Sequence, residues 1–347
     1  MTIAGRLKTN SAIILIVTLW IMAILTLLAL GIGRQTRVDL ALSKYKIGKM
    51  RSRHAAWSAV FYGIRILSEE RSSSGQGKPS GKNGGELFKD IRTSYGSFDI
   101  RQASTPEQQT VRYGFFDEAG RINLNALTLQ NAGILKELIL VLGHDEQTAE
   151  TVSASLIDWK DADDNLSDRS FGGEEDYYQH KKRPYHCKNA PLESLEELLS
   201  VRGMNDQLWN DLGPYVTIVP AEGPLKVNFS DASQTVLLAL ARYFSGARTN
   251  TDLSDAQSLV RKVLEYRAGP DGEERTDDDR PVDFKDIVLN AKEKVLASSL
   301  LMYEQKRPTF LRMEILAEAE PMRVMTRLNT VIRLSDLSIV SWRRDGE

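Results

Sequence analysis

Two stretches concentrate side chains that could do chemistry. Gly269 to Asp279 holds six acidic residues between Asp271 and Asp279, among them Glu273, Asp278 and Asp279. Packed together without a cation, such charges repel one another. Glycine and proline bend this backbone, so carbonyls can also face inward. Hard oxygen ligands in a flexible loop suit Ca²⁺, which takes roughly six to eight oxygens. The spacing and the closing glutamate of an EF-hand are missing, and a solvated acidic turn is the competing reading. Asp161, Asp163 and Asp164, with Glu174 beyond them, form a lesser candidate for the same chemistry. His186 and Cys187 are adjacent, with His180 six residues before. Without CxxC or HxxxH spacing they read as a surface histidine beside a half-buried thiol rather than a metal site.

No Ser/His/Asp order, HExxH or glycine-rich phosphate loop accompanies these residues, so no catalytic residue is assigned and no enzyme is expected. Cys187 is the single cysteine, which leaves no intramolecular disulfide to order a loop. The net charge of −2 on 347 residues argues against a nucleic-acid protein.

The element that positions everything else is Ser11 to Ile32, 22 residues without charge or proline. That is enough for a helix to cross a bilayer. A buried soluble helix of this length would carry a polar stripe, and this one has none. It is too long for the apolar region of a cleaved signal. The reading is a short leader over 1–10, a transmembrane helix over 11–32 and a helical continuation over 33–71. The basic residues on either side of the span nearly balance. The short head is easier to leave in the cytoplasm, which puts the body outside. Ser72 to Gly85 is a flexible loop by composition.

Strand patterns follow at Ser97–Ala103 and Val111–Phe116, and again at Phe310–Leu316, Val324–Leu334 and Ser338–Trp342. They can form one antiparallel sheet, over 86–120 and 308–347, packed on the long helix. The fold class expected is α+β, with the helical region 121–307 inserted between strands. That region holds a weak internal repeat. Ala149 to Lys160 aligns without gaps on Ala256 to Arg267, each copy preceded by a similar short stretch (Ile122–Asn125, Val227–Ser230) and followed by an acidic loop. Between the copies, Ser194 with Glu197 marks a helix start and Gly203 its end, one half of a helix-hairpin-helix. The second hairpin glycine is missing from Gly203-Met204-Asn205. A membrane-tethered nucleic-acid binder of the DNA-uptake type remains as the alternative function.

Taken together, these pieces resemble the K-type minor pseudopilin family of the type II secretion system. The resemblance rests on the span after Asn10, on Phe116–Asn125 and on Leu156–Asp164. It rests also on Gly173-Glu174 with Tyr177-Tyr178, on Pro184-Tyr185 with Asn189, on Leu195–Leu199 with Val201–Met204, and on Trp342. It implies a single-pass inner-membrane protein with a periplasmic body at the tip of a pseudopilus. The implied role is initiation of pseudopilus assembly and protein export across the outer membrane. The implied partners are the I and J minor pseudopilins, the major pseudopilin, prepilin peptidase and the inner membrane, with no nucleic acid. The implied fold is a pilin-like helix and sheet with a large inserted α-domain. The family's calcium loop has the form Gly-Pro-Asp-Gly with a later Thr-x-Asp-Asp, which places Asp271, Thr276, Asp278 and Asp279 at the cation. Arg275 stands where that loop often has glycine. At the peptidase junction Asn10 replaces the usual glycine before Ser11, so processing there departs from the pattern. Leu15 occupies the position of the glutamate that pilin-like subunits carry five residues into the mature span. A subunit without that carboxylate is expected to cap a filament rather than extend it.

Overall fold

The computed structural model describes residues 6–73, 84–102, 111–246, 249–272, 278–320 and 322–344. Most of the leader, most of the Ser72–Gly85 loop, and Glu273 and Thr276 lie outside these.

The span and its continuation form one uninterrupted helix, α1 (Arg6–Ser73). At 1.5 Å per residue its 68 residues measure roughly 100 Å. Described side chains from Ile13 to Ile47 touch little else and are exposed. Contact with the rest of the chain begins at Gly48. From there the buried face runs Gly48, Ser52, Ala55, Ala56, Ala59, Val60, Gly63 and Leu67. Small residues at three- and four-residue spacing let the helix axis approach the sheet closely. A Cβ on Gly48 would come within 2.8 Å of Val324, and one on Gly63 within 2.4 Å of the Met313 sulfur. Gly31 and Gly33 are different: nothing lies within 4 Å of either.

After the short α2 (Gly84–Phe88) come β1 (Ile91–Thr93) and β2 (Gly96–Gln102), a hairpin. The stretch Val111–Phe116 was expected as one strand but is two pieces. β3 (Arg112–Tyr113) pairs with β2, and β4 (Phe116–Asp117) pairs with a later strand. Gly114, at φ +120°, turns the chain between them. β5 (Ile122–Asn123) then leads into the helical body: α3 (Gly133–Val141), α4 (Glu146–Lys160), α5 (Glu175–Gln179), α6 (Asp206–Leu212), β6 (Val216–Thr217), α7 (Gln234–Phe244), α8 (Leu253–Arg267) and α9 (Ala291–Leu300). β5 and β6 form a two-stranded parallel ladder. The chain returns to the sheet through β7 (Phe310–Ala319), β8 (Val324–Arg333) and β9 (Ile339–Arg344). The main path is β1-β2-β7-β8-β9, antiparallel throughout. This is the α+β fold expected: a long helix on an antiparallel sheet, with extra helices between its strands.

Two cores result. Ala55, Ala59, Val60, Phe98, Ile100, Met313, Ile315 and Leu328 build the helix–sheet core. Ile134, Leu138, Leu156, Tyr178, Phe229, Leu240 and Leu259 belong to the core of the helical body. The internal repeat is visible within it. α4 and α8 each have 15 residues, each is capped by an aspartate (Asp145, Asp252), and each ends in a cation that turns back. Lys160 donates to the carbonyls of Leu124 and Leu127, and Arg267 to those of Phe229, Ser230 and Ala232. Leu124 and Phe229 sit at matching places in the two preceding stretches. The segment after Ser194 keeps its capping box, but Leu195–Ser200 is a 3₁₀ helix and ends three residues before Gly203.

Gly63→Val tests the close approach of α1. Forcing two methyls against the Met313 sulfur should cost about 1–3 kcal/mol, as overpacking does. A circular-dichroism melt should show the midpoint falling by several degrees; an unchanged midpoint would mean α1 does not rest on β7 as described.

Candidate functional site

Of the two acidic loops, the one after α4 is brought to a point. Asp158, in the last turn of α4, is fully buried. Its Oδ1 accepts from the Ser167 amide and its Oδ2 from the Gly173 amide, both at 2.7 Å. These two bonds tie down both ends of the intervening loop. Gly172 leaves no room for a side chain here, since a Cβ would stand 2.3 Å from Asp158 Oδ2. The next residue after Gly173 is Glu174, which precedes α5 and is 5% exposed. Neither of its carboxylate oxygens has a hydrogen-bond partner, nor has Asp161 Oδ1 or Asn189 Oδ1. Asn189 has a left-handed backbone (φ 47°), and its Nδ2 donates to Asp164 Oδ1 at 3.1 Å. Asp163 faces the other way and accepts from the amide and side chain of Asn165.

The unpartnered atoms here are all acceptors. Burial, then Asp158, Asp161 and Asp164, push the Glu174 carboxyl up to about 7. Burial, then Asp163 and Asp158, push Asp161 up to about 6. Buried oxygens without donors are costly, and what offsets them is a proton or a cation. Among the described residues no group of three or more His, Cys, Asp or Glu stands ready as a closed metal cage. Glu174 interacts electrostatically with Asp161 and Asp164, and Asn189 is tied to Asp164. An oxygen-only set of this kind suits a hard cation and not a thiolate- or imidazole-seeking one. Asn189 was carried in the sequence only as part of the family resemblance, and its signal is the positive φ, which a sequence does not print.

The Gly269 loop is shown in part. Gly269 and Gly272 have φ of +68° and +73°. The Asp271 amide donates to Asp278 Oδ2 at 3.2 Å, and a Cβ on Gly269 would meet Asp278. Asp278 therefore folds back over the start of the loop. Asp279 follows it, and Glu273 and Thr276 lie outside the described residues.

His186 contacts Glu175 at 2.7 Å, His180 is exposed, and the buried Cys187 thiol faces the Asp158 carbonyl at 3.7 Å. The three do not converge.

A second site is a surface. On α1, opposite the small-residue face, Leu40, Ile47, Met50, Trp57 and Phe61 are all exposed, with His54 in phase. The spacing is three, four and seven, the period of a helix seam. Trp342 of β9 extends it, its ring 5.8 Å from that of Trp57. Together with the apolar span, in which Leu15 is exposed, this leaves one side of α1 largely apolar and exposed, with Trp342 against Trp57 and Tyr95 against His54. The junction Asn10–Ser11 lies within α1 without a break in the helix.

A helix long and apolar enough at its start to cross a membrane, packed by one later face on an antiparallel sheet, is a pilin-like fold. Residues 120–221 match the family model described as type II secretion system (T2SS), protein K. A protein K of Pectobacterium carotovorum subsp. carotovorum is 25% identical over 262 residues, 72% of this chain and 74% of its own length. That of Aeromonas hydrophila is 32% identical over 104 residues, covering 30% of this chain and 31% of the relative. Against the other curated relatives the match spans between 34% and 52% of their length. One chain in the crystal structure of the GspK-GspI-GspJ complex from enterotoxigenic Escherichia coli shares the fold. Its TM-score is 0.59 at 17% identity, over 90% of this chain and all of that one. The chain is thus similar to type II secretion system protein K.

The raised carboxyls set a pH dependence. A carboxyl whose folded pKa lies above its unfolded value near 4 favours folding when protonated. That contribution is complete below the unfolded value and is lost as pH rises through about 6 and 7. In chelator, the melting midpoint should therefore fall between pH 5 and pH 8. Glu174→Gln, which removes the larger shift, should flatten the profile and raise the stability at pH 8 by on the order of 1–2 kcal/mol, read as a higher midpoint. A profile unchanged by the substitution would show that Glu174 is not the titrating group.

Proposed function

We propose that this chain is a minor pseudopilin of type II secretion, anchored in the inner membrane by α1 with its body in the periplasm. It assembles there with the I and J minor pseudopilins at the pseudopilus tip, and takes part in initiating the filament and in export across the outer membrane. The observation that carries the reading is the exposed apolar seam of α1, Leu40 to Phe61, on a helix whose other face is already packed. A helix apolar on two sides in a soluble body needs a second partner, and a neighbouring subunit's helix has the matching shape. The printed partners of the solved relative, GspI and GspJ, supply the candidates. The family is a structural component of secretion, so the role needs no catalytic residue. A DNA-uptake role lacks support: the hairpin after the 3₁₀ helix has one glycine, and Asn205 uses its side chain to cap α6.

The test is co-purification of the full chain, in mild detergent, with the I, J and major pseudopilins of its own system. Met50→Glu/Phe61→Glu puts two charges on the exposed seam without touching either core. It should lower recovery of I and J at least tenfold while the melting midpoint stays. Undiminished recovery would remove the seam from the assembly. The same preparation, probed with prepilin peptidase and mass spectrometry, decides whether the chain is cut between Asn10 and Ser11.

Calcium belongs to the same proposal. The first candidate is Glu174, Asp161 and Asp164 with Asn189, and the second is the loop of Asp271, Asp278 and Asp279 with Glu273 and Thr276. In each, Ca²⁺ would supply charge compensation to the carboxylates, and no chemistry. A ligand that binds only the folded state raises its stability with concentration. Millimolar Ca²⁺ should raise the melting midpoint at pH 8 by several degrees. Glu174→Gln should remove part of the rise and Asp278→Ala/Asp279→Ala the rest. A midpoint indifferent to calcium and chelator would exclude both sites.

A further inference from the structure

The sheet has a face that α1 does not use. Between that face and the helical body lies a cleft of about 710 Å³. One wall is β2, β7 and β8; the other is the segment around Leu195, the end of α6 and the chain after β6. We propose that this cleft is a docking site for an extended acidic segment of another polypeptide.

The charges in the walls carry the argument. Every carboxylate lining the cleft has a cation already. Glu118 holds Arg312 at 3.2 Å, Glu314 holds Arg312 and Arg121, Glu196 holds Arg343 at 3.2 Å, and Glu193 holds Lys188. Two lining arginines are left over. Arg101 on β2 and Arg327 on β8 have no carboxylate within 4 Å among the described residues. Both point away from the helix–sheet core: Arg101 follows buried Ile100, and Arg327 precedes buried Leu328. The cleft therefore presents two cations without a carboxylate partner among the described residues, between walls of lowered dielectric where their attraction for an anion is strong.

Their separation selects the ligand. β7 lies between the two strands, and Arg327 is opposite Leu316 while Ile100 is opposite Ile315. Two strand spacings across, with a two-residue offset along, put the two backbone positions ~12 Å apart. Two arginines rising side by side from those positions serve two anionic groups with less bending than one. The separation matches two acidic side chains about four residues apart on an extended chain, at ~3.3 Å per residue. Between the arginines the wall carries Leu316, opposite Arg327, and beside it Glu314, already held by Arg312 and Arg121; Trp209 lines the other wall. An apolar side chain between the two acidic ones would lie there. The volume falls in the range of natural ligand clefts.

The test uses the full chain in non-ionic detergent. The probe is a fluorescein-labelled decapeptide with two glutamates four residues apart and a leucine between them, read by anisotropy. It should bind, more weakly as salt is raised. Replacing its glutamates with lysines should abolish binding. Arg101→Gln/Arg327→Gln should weaken binding at least tenfold, and Arg101→Lys/Arg327→Lys should retain most of it. Arg327→Gln alone, at an exposed position, should cost several-fold without moving the melting midpoint. The proposal is overturned if the lysine peptide binds as well. It is equally overturned if Arg327→Gln leaves the affinity unchanged, or if free phosphate or an oligonucleotide competes as well as the unlabelled peptide.

Discussion

Arg312 lies in the middle of the central strand β7 with its side chain 5% exposed. A guanidinium cannot be left there alone, because an uncompensated buried charge costs several kcal/mol. Glu118, equally buried and belonging to the turn that leaves the sheet for the helical body, neutralises it. Thr217, at the far end of the first helical unit, donates to the other oxygen of Glu118. Glu314 and Arg121 complete the set, and burial lowers Arg121 to about 10. The sheet and the inserted body have separate hydrophobic cores, so their mutual placement depends on this network and on few apolar contacts. Replacing one partner would strand the others. Replacing the whole set by apolar residues could keep stability and lose the fixed angle between the two bodies.

The fold was legible where a period carries it. The uncharged run to Ile32, the alternation of Leu328, Thr330 and Ile332, and the gapless match of α4 to α8 are all one-dimensional patterns, and each became an element. The failures have local causes. Val111–Phe116 has strand composition, but Gly114 takes a backbone angle that ends pairing on one neighbour and starts it on another. Leu195–Ser200 has a capping box, which fixes a helical start but not whether the turn that follows is α or 3₁₀.

The sites were less legible, for a different reason. Acidic density drew attention to Asp271–Asp279, yet density on a solvated loop says little. What makes Glu174 chemically distinct is that Asp158, sixteen residues earlier, anchors the Gly173 amide and so holds the next residue inside. Asn189 arrives from another loop again. None of these three is close to the others in sequence, and the unmet oxygens exist only once the loops are folded against α4. The paired cleft arginines are likewise separated by 226 positions, and no spacing rule links Arg101 to Arg327.

Two glycines in α1 have a mechanical meaning. Gly31 and Gly33 sit at the end of the apolar run, where no other part of the chain braces the helix. Each costs a helix about 1 kcal/mol relative to alanine and leaves its backbone open to water. From Gly48 on α1 is stiffened by the sheet, and below the glycines a bilayer or neighbouring helices would stiffen it in the proposed role. A rod clamped at both ends and softened between them bends at the soft point when loaded. An upward thrust delivered through the lower segment would therefore first be taken up as an angle at these two residues. The body could tilt against its membrane anchor before either of its cores is strained.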